Sequence, residues 1–247
     1  MKNIALMISW WLDSYIMYFY AKKNGFNPIP IWVDLWQPYA QKEFEAIQKF
    51  DFYSEIQILD IKDYSKIMNI TLDNHIIPWR NLLLWMVWAN YWEEVWIGAL
   101  DWEQNWKNQD KSYEFFKQAT EILSYNFKMI RERTELKTPF FHFSKATLIE
   151  WALKNWITEE QLKNTSTCYD KKEKNCWICL TCFKRFIAME LNWITEEYVV
   201  NPLESNYAKQ VFKEIDEIKD KDVWSERFSP LKIKEYLIIK KKYENLS

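Results

Sequence analysis

Ser9-Trp10-Trp11-Leu12-Asp13-Ser14 joins a short apolar run, 4–9, to an amphipathic stretch, 13–24, that closes at Gly25. The run has the length and composition of a buried parallel strand, and the stretch reads as a helix. Strand passing straight into helix is the opening βα unit of an α/β domain. The junction gathers Ser, Asp and Ser at a helix N-terminus, where free N–H groups and the helix dipole receive an anion. The same residues also suit a simply capped helix. Two tryptophans occupy the centre of the loop. Their indoles fill the space a phosphate needs, and bulky residues disfavour the positive φ of an anion nest.

The oddity extends to the whole chain. Its 247 residues include 16 tryptophans and 2 glycines, where average usage predicts roughly 17 glycines. Turns and helix ends need residues that tolerate positive φ, and tryptophan stands in such places. Lys154-Asn155-Trp156-Ile157 and Leu191-Asn192-Trp193-Ile194 each end an amphipathic helix where Asn-Gly suits. Most of the tryptophans therefore read as glycine positions. A gene that uses UGA for glycine, translated with UGA as tryptophan, produces this pattern. Trp32, Trp151 and Trp224, in apolar or undefined surroundings, are the ones that fit as genuine tryptophans.

Downstream of the loop, strands and helices alternate. Strands are predicted at 28–35, 56–61, 95–100 and 127–131, and helices at 39–50, 81–94 and 112–125. Repeated βα units imply a doubly wound, parallel five-stranded sheet, Rossmann-like, with its ligand at the carboxyl ends of the strands. From 144 onward the chain reads as helical, interrupted by a cysteine segment, and from 209 as solvated Lys- and Glu-rich helix. The expected organisation is an α/β part over 1–143 that carries the loop, a helical part over 144–200 that carries the cysteines, and a charged helical tail over 201–247. Lys plus Arg (33) nearly balance Asp plus Glu (35), so no basic field marks a nucleic-acid binder. No apolar run reaches the roughly 18 residues needed to cross a bilayer. The start, 1–9, lacks a small-residue cleavage site and reads as a first strand.

All four cysteines fall in one pattern, Cys168-x7-Cys176-x2-Cys179-x2-Cys182. Such clustering points to metal in a reducing, cytoplasmic setting more than to disulfides. Four thiolates with no open position describe a structural zinc site, with an iron–sulfur cluster as the alternative. Zinc with four thiolates carries about −2, which Lys171, Lys172, Lys174, Lys184 and Arg185 are placed to offset.

Read with glycine at 10 and 11, the loop becomes S-G-G-L-D-S and resembles the signature of the pyrophosphate-loop ATPases, whose fold is adenine-nucleotide alpha-hydrolase-like. More specifically, residues 1 to about 195 resemble the 7-cyano-7-deazaguanine synthase family. The matching features are Asp34-Leu35-Trp36-Gln37, Ile77-Pro78-Trp79-Arg80-Asn81, Ile97-Gly98-Ala99, Thr138-Pro139-Phe140 with Ser144-Lys145, and Cys176-Trp177-Ile178-Cys179-Leu180-Thr181-Cys182. The cysteine spacing together with T-P…S-K is the selective part. The resemblance implies ATP-driven conversion of 7-carboxy-7-deazaguanine and ammonia to the nitrile, as in queuosine biosynthesis. It implies that Ile8, Ser9, Trp10, Trp11, Leu12, Asp13, Ser14, Arg80, Asn81 and Lys145 meet ATP and Mg²⁺, with Asp13 and Lys145 catalytic, and that the protein is a homodimer. Asp101, Glu103 or Asp110 would take the guanine-like N–H edge of the substrate, while His75 and His142 read as structural. Lys145 opens a helix whose dipole it opposes, a poor choice on stability alone and a good one beside a phosphate.

Two other readings stand beside this one. A different pyrophosphate-loop adenylating ligase, or a tRNA-modifying enzyme, shares the loop, although a thiolating enzyme needs a cysteine outside the zinc set and the chain has none. An inactive, zinc-stabilised binding module follows if Trp10 and Trp11 are genuine.

Overall fold

The structure, a computed structural model, describes all residues except 36, 38, 62, 64–79, 91, 102–109, 131, 169–174, 219–227 and 245–247. Trp36, Trp79 with Ile77 and Pro78, His75, Glu103, Trp224 and the lysines 171, 172 and 174 therefore lie outside the described residues. Five strands, β1 (Lys2–Met7), β2 (Phe26–Asp34), β3 (Gln57–Asp60), β4 (Glu94–Trp96) and β5 (Glu135–Lys137), form one sheet in the order β3-β2-β1-β4-β5. Every pairing is parallel. This is the doubly wound Rossmann-like order, and its winding reverses between β1 and β4.

Side-chain alternation along the strands builds a core on each face. Ile4, Leu6 and Ile8 join Trp32 and Trp96 on one side, under α1 (Leu12–Lys23) and a later helix, α5 (Lys145–Lys154). Ala5 and Met7 join Ile31, Val33 and Val95 on the other, under α3 (Arg80–Ala89) and α4 (Tyr113–Phe127). The remaining helix of this half, α2 (Ala40–Ile47), follows β2. No described helix is long and apolar enough to cross a membrane.

The fifth strand departs from expectation. Residues 127–131 do not form it: Phe127 ends α4, and Met129 and Ile130 lie exposed in the turn that follows. The strand comes later, because Leu136 is the side chain that reaches the core, in register with Val95.

Beyond the sheet come α6 (Glu159–Asn164), α7 (Leu180–Leu191), α8 (Asn206–Ile218) and α9 (Pro230–Glu244). The last two are not merely solvated. Ala208, Val211 and Ile215 of α8 and Tyr236 and Ile239 of α9 bury themselves against Phe183, Phe186 and Ile187 of α7, forming a third core around the cysteines.

Helix ends show why glycine is missed. α1, α5 and α7 stop at Asn24, Asn155 and Asn192, and the next residue is left-handed each time: Gly25 at φ 78, Trp156 at φ 72 and Trp193 at φ 62. After both tryptophans the chain closes a Schellman-type turn, Ile157 N–H to Ala152 O at 3.1 Å and Ile194 N–H to Met189 O at 3.0 Å. A third left-handed tryptophan, Trp177, sits between Cys176 and Cys179. Trp156 and Trp193 are 89% and 84% exposed, so burial does not offset the roughly 1–2 kcal/mol that a Cβ costs in this conformation, although the Lys242 ammonium lies 5.2 Å from the Trp193 ring. In the chain carrying tryptophan at both positions, Trp156→Gly and Trp193→Gly are each expected to raise the melting temperature by about 2–4 °C. Thermal denaturation followed by circular dichroism checks it; a lower melting temperature contradicts the strain.

Candidate active site and metal centre

A cavity of about 320 Å³ opens at the carboxyl ends of β1, β2 and β4. Ile8, Ser9, Trp11, Asp13 and Ser14 line it from the first loop, Arg80 and Asn81 from the start of α3, and Lys145 from the start of α5. Trp10 and Leu12 turn elsewhere. Leu12 is in the core under α1, and Trp10 is buried in a stack with Tyr39, ring centroids 5.6 Å apart.

The loop is held by its own serines. Ser9 N–H donates to Ser14 Oγ at 3.1 Å, and that oxygen lies 2.7 Å from the Ser9 carbonyl. Lys145 Nζ stands 2.9 Å from Asp13 Oδ1, with both side chains about nine-tenths buried, so it is no surface lysine. Gly98 has a steric reason to lack a side chain, since a Cβ there would meet Asp13 Cβ at 3.2 Å. Thr138 braces this strand end, its Oγ1 accepting from Ala99 N–H at 3.1 Å and donating to Ala99 O at 2.8 Å. The Thr-Pro and Ser-Lys motifs thus serve the same corner of the cavity.

Some side chains of the site are invisible to sequence reasoning. Glu43 accepts from Trp10 N–H at 3.3 Å and from Gln37 Nε2 at 2.9 Å. Burial pushes its carboxyl above the usual range, against the pull of Gln37 and Arg80. A Glu on the inward face of α2, beside Ala46 and Ile47, was the available signal. Lys232, Glu235 and Tyr236 of α9 also line the cavity, and nothing in a Lys-rich helix announces them. Of the anticipated substrate carboxylates, Glu103 lies outside the described residues; Asp101 Oδ2 accepts from Ser229 Oγ and Asp110 is exposed, and neither of these two is among the lining residues. His142 is exposed.

The four cysteine sulfurs lie within 4.8 Å of one another, and all four cysteines are free. Cys176 Sγ and Cys182 Sγ are 3.9 Å apart, close to the ~3.8 Å edge of a tetrahedron with Zn–S bonds of about 2.3 Å. Contact with Cys168 and Cys182 holds Cys179 far below the ordinary thiol range, while contact with Cys168 and Cys179 pushes Cys182 up. Crowded thiols of this kind shed their protons together only to a cation, so the donor set fits zinc. Arg185 does not offset the thiolate charge as anticipated. It is buried and spends its guanidinium on Glu196 (2.8 and 2.9 Å) and Thr165 (2.8 Å). The loop and the cysteine segment are joined by backbone, Ser166 N–H donating to Trp10 O at 2.9 Å, and from α2 the Lys42 side chain donates through Nζ to Cys168 O at 3.2 Å.

Residues 56–192, more than half the chain, match the family described as queuosine biosynthesis protein QueC. Proteins named 7-cyano-7-deazaguanine synthase are similar along most of their length. That of Campylobacter jejuni subsp. jejuni serotype O:2 is 26% identical, covering 76% of this chain and 94% of its own. That of Aliarcobacter butzleri is 25% identical over 76% and 91%, and that of Picrophilus torridus 25% over 75% and 86%.

One zinc per chain is the expected content of the cysteine cluster, lost on Cys176→Ser together with several degrees of melting temperature, since metal-binding energy is partly folding energy. Elemental analysis beside a thermal melt checks this. Full zinc in the variant, or iron in the parent, contradicts it.

Proposed function

Given that the chain belongs to the queuosine biosynthesis protein QueC family, we propose that it is an ATP-dependent ligase making 7-cyano-7-deazaguanine from 7-carboxy-7-deazaguanine and ammonia. The observation that carries this reading is the convergence of the first loop, Arg80, Asn81 and Lys145 on one cavity at the reversal of the sheet. That is where α/β sheets of this kind take nucleotides.

The substrate carboxylate attacks the α-phosphorus of ATP and pyrophosphate leaves. Ammonia then attacks the acyl carbon and AMP leaves, giving the amide. A second activation, at the amide oxygen, lets AMP depart again with loss of the remaining N–H protons, which leaves the nitrile. Ser9, Ser14 and the N–H groups at the start of α1 bind the departing pyrophosphate. Lys145 neutralises charge that builds on the phosphates and exchanges its partner, Asp13, for them as the nucleotide enters. Asp13 would hold Mg²⁺, which would supply further neutralisation of phosphate charge. Zinc on Cys168, Cys176, Cys179 and Cys182 is structural, holding α7 and the segment behind the loop. The same reading has the enzyme act on a small molecule in the cytoplasm, without binding nucleic acid, as a homodimer.

The loop needs room for phosphate, so this function goes together with glycine at 10 and 11. We propose that tryptophan at 10, 11, 36, 79, 156, 177 and 193 stands at glycine positions. The left-handed backbone at 156, 177 and 193 supports it. The second reading, an inactive binding module, is favoured by one observation: the Trp10 indole is completely buried where the loop would open.

The form with glycine at 10, 11, 36, 79 and 177 is expected to bind ATP and the tryptophan form not to, by isothermal titration; equal affinity removes the argument for glycine. Peptide mass spectrometry of the protein isolated from its own cells reads the residue at 10 and 11 directly. In the glycine form, Lys145→Ala is expected to lower turnover at least about tenfold, roughly 1.4 kcal/mol of transition-state stabilisation. It should also lower the melting temperature, because buried Asp13 loses its counter-charge. Steady-state assay of nitrile formation decides the first point, and unchanged turnover returns Lys145 to a structural role.

A further inference from the structure

We propose that the C-terminal helix α9 is a wall of the active site, and that Glu235 on it is a positioning residue that holds Lys145 in place through Ser144. The helix lies beyond residues 56–192, the part that matches the family, so the family match assigns it nothing.

Two serine caps tie it down. Ser229 caps α9, accepting from Lys232 N–H at 3.1 Å, and donates its hydroxyl proton to Asp101 Oδ2. Asp101 is anchored in turn, its N–H donating to Phe143 O at 2.8 Å and its carbonyl accepting from Lys232 Nζ at 2.8 Å. Ser144 caps α5, accepting from Thr147 N–H at 3.1 Å, and donates its hydroxyl proton to Glu235 Oε1. Each serine thus completes its own helix with its lone pair and binds a carboxylate across the gap with its proton.

Lys145 is the next residue after Ser144, and its ammonium meets Asp13, which Gly98 lets approach the end of β4. A continuous path of short contacts therefore runs from α9 to the first loop: Glu235, Ser144, Lys145, Asp13. Glu235 is 9% exposed and faces the cavity, on a helix whose other charges are mostly lysines at the surface. A buried acid there costs desolvation. Burial pushes its carboxyl up to about 7, nearby Asp101 adds to that, and Ser144 and Lys232 pull it back. Solubility does not require such a residue; fixing the first turn of α5 does. The phosphate-neutralising role of Lys145 is taken from the function proposed above, whereas its placement by Glu235 is independent of that role.

The test compares Glu235→Ala, Glu235→Gln and Ser144→Ala in the full-length glycine form. Lys145 reactivity toward an amine-acylating reagent, read by mass spectrometry, needs no substrate. Turnover and KM for ATP are measured alongside. Glu235→Ala is expected to speed labelling of Lys145 at least threefold and to lower kcat at least tenfold, with KM for ATP within twofold. Glu235→Gln, which keeps an oxygen for the Ser144 hydroxyl, should restore both to near the parent. Ser144→Ala removes the same bond from the other side and should match Glu235→Ala, which keeps the test open if that variant does not fold. Parent-like labelling in both alanine variants, or a glutamine variant as impaired as the alanine one, overturns the inference. A parent that makes no nitrile while its Lys145 labelling responds as expected overturns the function instead.

Discussion

A backbone hydrogen bond, Ser166 N–H to Trp10 O, fastens the first loop to the segment that leads into the cysteines. It belongs to the isolated parallel bridge between residues 11 and 166. Because of it the loop at the end of β1 is not a free connection. It is clamped between the sheet that delivers it and the metal centre that backs it. The chemistry of the cavity and the stability of the cysteine cluster are therefore not separable. Whatever loosens the thiolate shell slackens residues 166–168, and with them the carbonyl that aligns the loop. On the function proposed above, a metal held by the cysteines would influence catalysis by this route, through position and not through charge.

Electrostatics at the cavity follow the same economy. Asp13, Glu43 and Glu235 are buried acids at one site, each with a designated partner: Lys145, Gln37 and Ser144. Buried charge is costly unless paired, so these contacts amount to a preorganised arrangement with polar groups already desolvated and aimed. On the proposed function, an incoming nucleotide would repel the acids and attract the lysines, and its binding energy would go into exchanging partners, coupling its entry to the order of the first loop.

Much of the architecture was legible from sequence, for physical reasons. Apolar runs with β-branched residues marked β1 to β4, and their spacing by helical stretches dictated parallel pairing. The cysteine spacing marked a candidate metal site, and the four sulfurs do lie within 4.8 Å of one another. What failed was local. The stretch 127–131 was read as a strand for its apolar residues, but α4 runs up to Phe127 and the chain turns at 128–130, which leaves Met129 and Ile130 exposed with no core to face. The amphipathic tail was read as solvated because Lys and Glu dominate its composition, while the buried face, Ala208, Val211, Ile215, Tyr236 and Ile239, is apparent only with α7 against it. Arg185 looked like a counter-ion for the thiolates, yet its partner Glu196 lies eleven residues away in a loop whose fold no periodicity announces. Glu43 and Glu235 were missed because burial of an acid depends on tertiary neighbours, not on its own helix.

The cavity draws on both extremes of the chain, residues 7–14 on one side and 232–236 on the other. Contacts so distant in sequence carry a high loop-closure entropy and form late. During synthesis the sheet and its two cores can assemble first, and the cysteine segment can find its metal once α7 has left the ribosome. Only afterwards does α9 emerge to shut the mouth left beside α5. For that interval only α8 covers the apolar face of α7, and the part that Tyr236 and Ile239 bury stays open, the kind of surface through which partly made chains aggregate or engage chaperones. The order of emergence thus separates becoming folded from becoming a finished site, and leaves the last helix to close the gap between them.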